Sequence, residues 1–253
     1  MSTKKIALVT GGSRGLGKNM ALRLADTGND VIITYQSQKH AANEVVAEIE
    51  SKGLRAAALA FDSSDIRSLS DFTGEVLKTL QQKWNVSSFD FLINNAGAGA
   101  TIPFDKVTEE DFDRFLNMHF KSIYFLCQKL LPSINDHGRI INVSTGTTRF
   151  CVPGYSVYAS MKGAIETFTR YLAKEVGPRG ITVNVIAPGP IETDFNNAAL
   201  RNNPERKKMT SSLTALGRIG EPNDIGGIAA FLCTTDAGWI TAQRIEASGG
   251  INL

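Results

Sequence analysis

Short runs of apolar, β-prone residues alternate along this chain with longer runs whose apolar residues recur at helical spacing. The β-prone runs lie at residues 6–9, 30–35, 55–60, 89–93, 139–143, 182–186 and 244–246. Because alternation of this kind requires crossover connections, the strands should be parallel and helices should cover both faces of the sheet. The sequence therefore predicts an α/β fold built on one parallel sheet.

The composition limits the class of protein. Hydrophobic residues make up 42% of the 253 residues, enough for the core of one domain spanning residues 1–253. The 27 basic and 25 acidic residues are spread without blocks, so nothing favours nucleic acid or a membrane surface as a partner. No stretch approaches the roughly 20 apolar residues of a membrane span. The three cysteines are widely separated and are interpreted as reduced core residues of a cytoplasmic protein, with neither disulfides nor a metal site.

A glycine-rich turn follows the first predicted strand and leads into a predicted helix. Its glycines, Gly11, Gly15 and Gly17, have the spacing Gly-x-x-x-Gly-x-Gly. A strand, a glycine turn and a helix in this order can present bare backbone N–H groups to a pyrophosphate. The alternative is a turn that only reverses the chain.

Tyr158 and Lys162 stand four residues apart in a predicted helix over residues 157–176. This spacing places both side chains on one helix face. A nearby ammonium group favours the phenolate, so the pair could exchange a proton with a substrate. The alternative is an aromatic core residue followed by a solvated lysine.

Taken with further motifs, these features resemble the short-chain dehydrogenase/reductase family in its classical branch. The motifs are Thr10 to Gly17, Asp62, Asn94-Asn95-Ala96-Gly97, the Tyr158/Lys162 pair, Asn184 to Gly189, and Ser248-Gly249-Gly250. The resemblance covers essentially the whole chain. It implies a Rossmann-type, doubly wound parallel sheet of about seven strands with ligands at its carboxyl edge. Residues 1–100 would form mainly the dinucleotide-binding half, and residues 101–253 the catalytic and substrate-binding half with a mobile segment near 190–217.

The resemblance also implies a set of cofactor-binding residues. These are Gly11, Ser13, Arg14, Gly15, Leu16, Gly17, Tyr35, Gln36, Ser37, Asp62, Ser63, Asn95, Ala96, Gly97, Tyr158, Lys162, Pro188, Gly189, Ile191 and Thr193.

The end of the second strand bears on the choice of cofactor. Residues 31–39 contain no acid, and Tyr35 stands where family members that prefer NAD carry one. Arg14 adds a cation that members preferring NADP often have near the 2′-phosphate, unless it is only a solvated loop residue. We therefore favour NADP(H), with NAD(H) possible.

Two positions depart from the family's catalytic pattern. The family usually has serine thirteen residues before the tyrosine, and here that position is Thr145, with Ser144 beside it. A threonine hydroxyl can still donate to a carbonyl oxygen. We expect Thr145 to orient the substrate, with Ser144 as the alternative, because adjacent strand residues point to opposite faces.

His119 replaces the family's catalytic asparagine, and Asn117 lies on nearly the opposite helix face. In the family this residue's backbone carbonyl is thought to hold a water joined to the lysine, so a histidine could leave that relay intact. Its imidazole could also titrate near neutral pH, or be only structural.

The sequence thus indicates an NADPH-dependent carbonyl reductase, acting on a ketone or 3-oxoacyl group, or a secondary-alcohol dehydrogenase. Tyr158 would be the general acid/base, assisted by Lys162 and Thr145. The alternative is a catalytically silent nucleotide-binding regulator or assembly protein. Resemblance suggests a homotetramer, or a homodimer, through helices around residues 111–131 and 157–176. A mostly apolar set of candidates for the substrate pocket comprises Ala98, Gly99, Arg149, Phe150, Val152, Tyr155 and Phe195.

Overall fold

The computed structural model, which describes residues 4–198 and 200–253, contains one seven-stranded sheet in the order β3-β2-β1-β4-β5-β6-β7. Every neighbouring pair in it is parallel. The strands are β1 (Ile6–Val9), β2 (Asp30–Tyr35), β3 (Ala56–Ala60), β4 (Phe89–Asn94), β5 (Ile134–Val143), β6 (Thr182–Pro188) and β7 (Arg244–Ala247). This doubly wound arrangement confirms the predicted fold class.

Helices cover both faces of the sheet. They are α1 (Gly15–Asp26), α2 (Lys39–Glu50), α3 (Leu69–Trp84), α4 (Glu109–Leu116), α5 (Ser122–Leu130), α6 (Ser156–Val176), α7 (Phe195–Ala198), α8 (Pro204–Ser212) and α9 (Asn223–Leu232). Apolar residues of α3, α5 and α6 form the core on one face, and those of α1, α2 and α9 form the core on the other. The central strands are buried on both sides, as parallel strands between helical layers must be.

Two predicted elements differ from the structure. Strand β5 begins at Ile134, not at residue 139, because Ile134 already pairs with Phe89 ahead of a register irregularity. The single helix expected around residues 111–131 is interrupted by a five-residue π-helical turn, Asn117–Lys121, between α4 and α5. The other predicted strand bounds lie within two residues of those observed.

The interpretation of all three cysteines as core residues is wrong for one of them. Cys127 and Cys233 are buried, but Cys151 is exposed, because it lies in the loop between β5 and α6. No helix among residues 4–198 and 200–253 is long and apolar enough to cross a membrane. Within the same residues, no cluster of three or more His, Cys, Asp or Glu side chains could hold a metal ion.

The strand order reverses between β1 and β4, and the predicted site residues gather at the carboxyl edge there. Thr10 follows β1, Asn95 follows β4, and Ser144 and Thr145 follow β5. In open α/β sheets, ligands bind in the crevice at such a switch point. The fold therefore brings the glycine turn and the catalytic candidates to one edge.

Candidate active site

The glycine turn lies tight against the end of β4. The Thr10 hydroxyl oxygen accepts hydrogen bonds from the backbone N–H groups of Asn95 (2.9 Å) and Ala96 (3.0 Å). The Asn95 amide donates in return to the carbonyl oxygens of Thr10 and Gly11. A Cβ atom at Gly17 would lie 2.1 Å from the Gly11 oxygen, so only glycine allows this approach.

The N-terminus of α1 fits an anionic group. Arg14 precedes the helix in an extended conformation, and its side chain makes no capping hydrogen bond. The first turn of α1 contains no acidic residue. The first backbone N–H groups and the positive end of the helix dipole are thus available to a pyrophosphate. This geometry suits the predicted roles of Ser13, Gly15 and Leu16.

Strand β2 ends beside the same turn. The backbone N–H groups of Gly11 and Gly12 donate to the side-chain and backbone oxygens of Thr34, respectively. Tyr35 is partly buried, and Gln36 and Ser37 are exposed. Arg14 is also exposed, and its side chain makes no ion pair or hydrogen bond within the described part of the chain. This edge therefore presents a cation without a carboxylate, the combination that suits a 2′-phosphate.

Asp62, one of the predicted cofactor-binding residues, lies just beyond β3. Its carboxylate accepts hydrogen bonds from the Ser64 backbone N–H (2.8 Å) and hydroxyl (2.6 Å). Burial alone would raise the pKa of Asp62, but hydrogen bonds from Ser64 and Gln36 lower it below its usual range. Asp62 is therefore an anionic acceptor in a fixed orientation, and Ser63 is partly buried beside it.

The loop after β6 closes the opposite side of the site. The Gly189 N–H donates to the Ala247 oxygen, and a Cβ at Gly189 would lie 2.6 Å from the Ser248 Cα. Ile191 forms an isolated bridge with Gly220. Thr193 is buried, and a Cβ at Gly15 would lie 3.8 Å from its side chain. The structure thus brings the loop containing Pro188 and Thr193 against the glycine turn.

Tyr158, Thr145 and Lys162 form one group. Tyr158 is only 7% exposed, and the Thr145 side chain lies near enough to its hydroxyl to lower the pKa of the phenol. Lys162 is 3% exposed, and its Nζ donates to the Val143 oxygen at 2.7 Å and lies 5.8 Å from the centroid of the Tyr158 ring. Tyr158 is therefore held between a hydroxyl and a cation.

The net pKa of Tyr158 is raised, whereas the neighbouring Lys162 was expected to lower it. Burial raises the pKa of Tyr158 above its ordinary value, and the Thr145 hydrogen bond offsets only part of that rise. Burial also lowers the pKa of Lys162 to about 8. Tyr158 is thus a protonated phenol at neutral pH, which is the form that a proton donor requires.

The choice between Thr145 and Ser144 has a geometric answer. The Ser144 hydroxyl is buried and donates to the Glu166 Oε1 at 2.7 Å, so its only hydrogen is committed to that carboxylate. Thr145 instead faces Tyr158. This follows from the opposite orientations of successive residues at the end of β5.

His119 lies in the π-helical turn and is fully buried. Its Nε2 is 2.8 Å from the Ala98 oxygen, and its ring lies edge-on to Tyr158 with centroids 5.0 Å apart. Burial, and secondarily the charge of Lys162, lower the pKa of His119 to about 3. The possibility that this imidazole titrates near neutral pH is therefore wrong. The ring also fills the space beside Gly97, where a Cβ would lie 2.7 Å from the His119 Cε1.

Aromatic residues surround the exposed approach to Tyr158. Phe195 and Tyr155 lie with ring centroids 6.1 and 6.2 Å from that of Tyr158. A Cβ at Gly99 would lie 2.5 Å from the Phe195 ring, and the Asn196 amide donates to the Tyr155 hydroxyl at 2.9 Å. The segment near 190–217, of which Ala199 lies outside the described residues, thus covers Tyr158 through α7. Three further pocket candidates have defined contacts. The Ala98 backbone oxygen is the hydrogen-bond partner of the His119 Nε2, and the Phe150 ring packs beside Gly146. The Val152 backbone oxygen accepts a hydrogen bond from the Tyr155 N–H.

Arg149 is not a pocket residue. Its guanidinium binds the Glu246 carboxylate through Nε and Nη2 and donates to the backbone oxygens of Ile251 and Asn252. Its prediction from sequence was wrong because these partners, distant along the chain, draw the side chain toward the C-terminal segment.

The sequence interpretation missed two charged residues beside the Thr145 turn. Glu166 accepts hydrogen bonds from Ser144 and Thr148, and Arg244 donates to Glu166 and to the Thr145 backbone oxygen. Glu166 stands eight residues after Tyr158 and four after Lys162, so helical spacing was the available signal. For Arg244 the sequence holds no comparable signal.

A glycine turn that can hold a pyrophosphate and a buried tyrosine flanked by Thr145 and Lys162, meeting at one sheet edge, are the arrangement of a dinucleotide-dependent oxidoreductase. The chain is similar to proteins of this class over nearly its whole length. The family described as enoyl-(acyl carrier protein) reductase matches residues 11–252. The hydroxynaphthalene reductase-like protein Arp2 of Metarhizium brunneum (strain ARSEF 3297) is 36% identical over 257 residues, covering 97% of this chain and 94% of the relative.

Two solved structures extend the comparison. LugOII, a promiscuous reductase that catalyses keto-reduction at C1 during lugdunomycin biosynthesis, has a TM-score of 0.93 and 37% identity, covering 98% of this chain and 97% of its own. The angucycline C-6 ketoreductase LanV, with bound NADP, has a TM-score of 0.93 and 37% identity, covering 98% and 95%. The chain belongs to the short-chain dehydrogenase/reductase family. The predicted family and the predicted NADP(H)-dependent carbonyl reductase are confirmed.

Proposed function

We propose that this protein reduces a ketone on an aromatic, polycyclic substrate, using Tyr158 as the proton donor. The observation that carries the proposal is the buried Tyr158, with the Thr145 side chain beside its hydroxyl and the rings of Tyr155 and Phe195 beside its own ring. Aromatic side chains favour a flat, apolar substrate because ring stacking adds to the burial of apolar surface. Arp2, LugOII and LanV carry names that refer to reduction of such molecules.

NADPH, when bound, supplies the hydride that the carbonyl carbon accepts. The α1 N-terminus and the glycine turn would hold its pyrophosphate, Arg14 would bind the 2′-phosphate, and Asp62 with Ser63 would contact the adenine. Asn95, Ala96 and Gly97 would line the adenosine side, and Pro188, Gly189, Ile191 and Thr193 would hold the carboxamide end.

Thr145 donates a hydrogen bond to the substrate oxygen and so fixes the carbonyl beside Tyr158. As negative charge develops on that oxygen, the Tyr158 O–H bond breaks and its proton forms the alcohol O–H bond. The Lys162 ammonium, close to the Tyr158 ring, stabilises the resulting tyrosinate until solvent returns a proton. His119 packs against Tyr158 as a neutral ring and has no proton to exchange at neutral pH.

The test is a screen of NADPH and NADH oxidation over a panel of carbonyl compounds. The panel contains a fused-ring aromatic ketone such as tetralone, an aliphatic ketone, a 3-oxoacyl thioester and a sugar. We expect kcat/KM with NADPH to be highest for the fused-ring ketone. A clear preference for the aliphatic ketone or thioester would contradict the aromatic substrate class. NADPH binding without turnover on every compound would instead favour the silent nucleotide-binding alternative.

The quaternary structure and location belong to the same proposal. Leu116, Phe120, Tyr124 and Phe125 line an apolar hollow at the π-helical turn and α5, and Tyr171 on α6 is exposed. These surfaces support a homotetramer or homodimer formed through the two predicted helical regions. The free cysteines support a reducing, cytoplasmic location. Light scattering of the purified protein, with Tyr124→Lys as the variant, tests the assembly.

A further inference from the structure

Glu166 lies on the same face of α6 as Tyr158 and Lys162, about two helical turns after Tyr158 and one turn after Lys162. Its side chain is mostly buried, with 13% exposed, and it points to the turn that follows β5. The Oε1 atom accepts hydrogen bonds from the Ser144 hydroxyl (2.7 Å), the Thr148 hydroxyl (2.8 Å) and the Arg244 Nε (2.8 Å). One carboxylate oxygen thus joins three separate parts of the chain.

Arg244, on β7, also donates hydrogen bonds to this turn. Its Nη2 donates to the Thr145 backbone oxygen at 3.2 Å and to the Thr148 hydroxyl at 3.0 Å. The Thr148 backbone N–H also donates to the Thr145 oxygen, at 3.5 Å. Residues on both sides of Thr145 are therefore held, and its own carbonyl accepts two hydrogen bonds.

Arg244 is itself fixed by a second carboxylate. Its Nη1 donates to Glu246 at 2.9 Å, and Glu246 also binds Arg149 and the Ser248 hydroxyl. Hydrogen bonds from Arg149 and Ser248 overcome the effect of burial and lower the pKa of Glu246 to about 2. Glu246 therefore stays ionised at neutral pH, and the guanidinium of Arg244 stays between two acceptors.

We propose that Glu166 and Arg244 are positioning residues that hold the 144–148 turn against α6, so that the Thr145 hydroxyl meets the Tyr158 hydroxyl. The proposal deepens the proposed function and rests on it. Thr145 and Tyr158 lie on different elements, and their hydroxyls meet only if the turn and the helix keep one relative position. Glu166 supplies that link from the same helix as Tyr158. Displacement of a reacting group by 1 Å can lower a rate by about 100-fold.

The test compares Glu166→Ala with Glu166→Gln, and uses Glu175→Ala, an exposed position on the same helix, as the matched control. We expect Glu166→Ala to lower kcat by about 10- to 100-fold while the NADPH dissociation constant stays within about twofold. Glu166→Gln keeps an oxygen acceptor and should retain kcat within about fivefold, because hydrogen bonds to a neutral acceptor are weaker but still form. Glu175→Ala should match the parent.

A double-mutant cycle with Thr145→Ala separates positioning from a general effect on the fold. If Glu166 acts through Thr145, adding Glu166→Ala to Thr145→Ala should change kcat by less than about twofold. Arg244→Lys, which loses the paired geometry, should behave like Glu166→Ala. If the kcat losses of Glu166→Ala and Thr145→Ala multiply in the double variant, the proposal is overturned. Full activity of Glu166→Ala would also overturn it. If Glu166→Ala fails to fold, the test uses Glu166→Gln, provided that its melting temperature is unchanged. A kcat loss of Glu166→Gln that disappears in the Thr145→Ala background supports the proposal. A loss that persists in that background overturns it. Full activity of Thr145→Ala itself would instead contradict the proposed function.

Discussion

The imidazole of His119 lies edge-on to the phenol ring of Tyr158, with ring centroids 5.0 Å apart and an angle of 88° between their planes. On its other side, the imidazole stacks on Phe115 with centroids 5.5 Å apart. An edge-to-face pair of this kind stabilises a fixed orientation of both rings. His119 therefore supports the position of Tyr158 while its own burial keeps it neutral.

The first prediction concerns this histidine. We expect His119→Asn to retain kcat/KM within about tenfold, and the pH profiles of the two proteins to superimpose between about pH 5.5 and 7.5, the range in which an ordinary histidine titrates. The reason is the pKa of His119, which burial lowers to about 3. Profiles measured in parallel with one ketone check this.

The dependence of the melting temperature on acidic pH gives an independent test of the pKa of His119. Between about pH 6.5 and 3 the unfolded chain binds a proton at His119 that the folded chain does not, so the parent loses stability as the pH falls. The Asn variant lacks this contribution, and its melting temperature should fall less steeply.

Loss of an acidic limb in the activity profile of the variant would show that the imidazole does exchange protons.

The second prediction concerns the cofactor phosphate. Arg14→Ala should weaken NADPH binding by about 10- to 100-fold, the usual effect of a lost hydrogen bond to a charged group, and change NADH binding little. Tyr35→Asp should shift preference further toward NADH, because a carboxylate repels the 2′-phosphate. Fluorescence titrations with both cofactors measure this. Arg170→Ala, an exposed position on α6, is the control for loss of one charge. Equal weakening for NADH and NADPH would remove Arg14 from the phosphate site.

The third prediction concerns the buried cation. Lys162→Met should abolish most turnover and yet raise the free energy of unfolding at neutral pH, on the order of 1 to 3 kcal/mol. Burial lowers the pKa of Lys162 from 10.5 to about 8, so keeping its charge in the folded state opposes folding. Below pH 8 the full free-energy cost of keeping the Lys162 charge buried is present. As the pH rises from about 8 to 10.5 the folded parent loses the proton first, and the difference should shrink. Urea titrations at pH 7 and 10 measure both values, and equal or lower stability of Lys162→Met at pH 7 would contradict the prediction.

Much of the fold could be predicted because its elements are local. The strands are short apolar runs, and the glycine turn requires residues such as Gly11, whose φ of +67° favours glycine. The π-helical turn could not be predicted, because the four-residue spacing of the buried residues Phe115, His119 and Ile123 also fits a continuous α-helix. The charged residues around Thr145 depend on β7 meeting the turn after β5, which the order of motifs does not reveal. Arg149 was predicted to line the substrate pocket because its contact with Glu246, on β7, is not revealed by the order of motifs either.

Tyr158→Phe tests the central claim most directly. The change removes one hydroxyl and keeps the ring that packs against His119, Tyr155 and Phe195, so the fold and the NADPH site should remain. The measurement is kcat/KM for ketone reduction, with NADPH affinity determined on the same preparation. We expect kcat/KM to fall by at least about 100-fold, the usual contribution of a general acid, while the NADPH dissociation constant stays within about threefold. A Phe variant that binds NADPH normally and keeps more than about a tenth of the parent's kcat/KM would show that Tyr158 is not the proton donor.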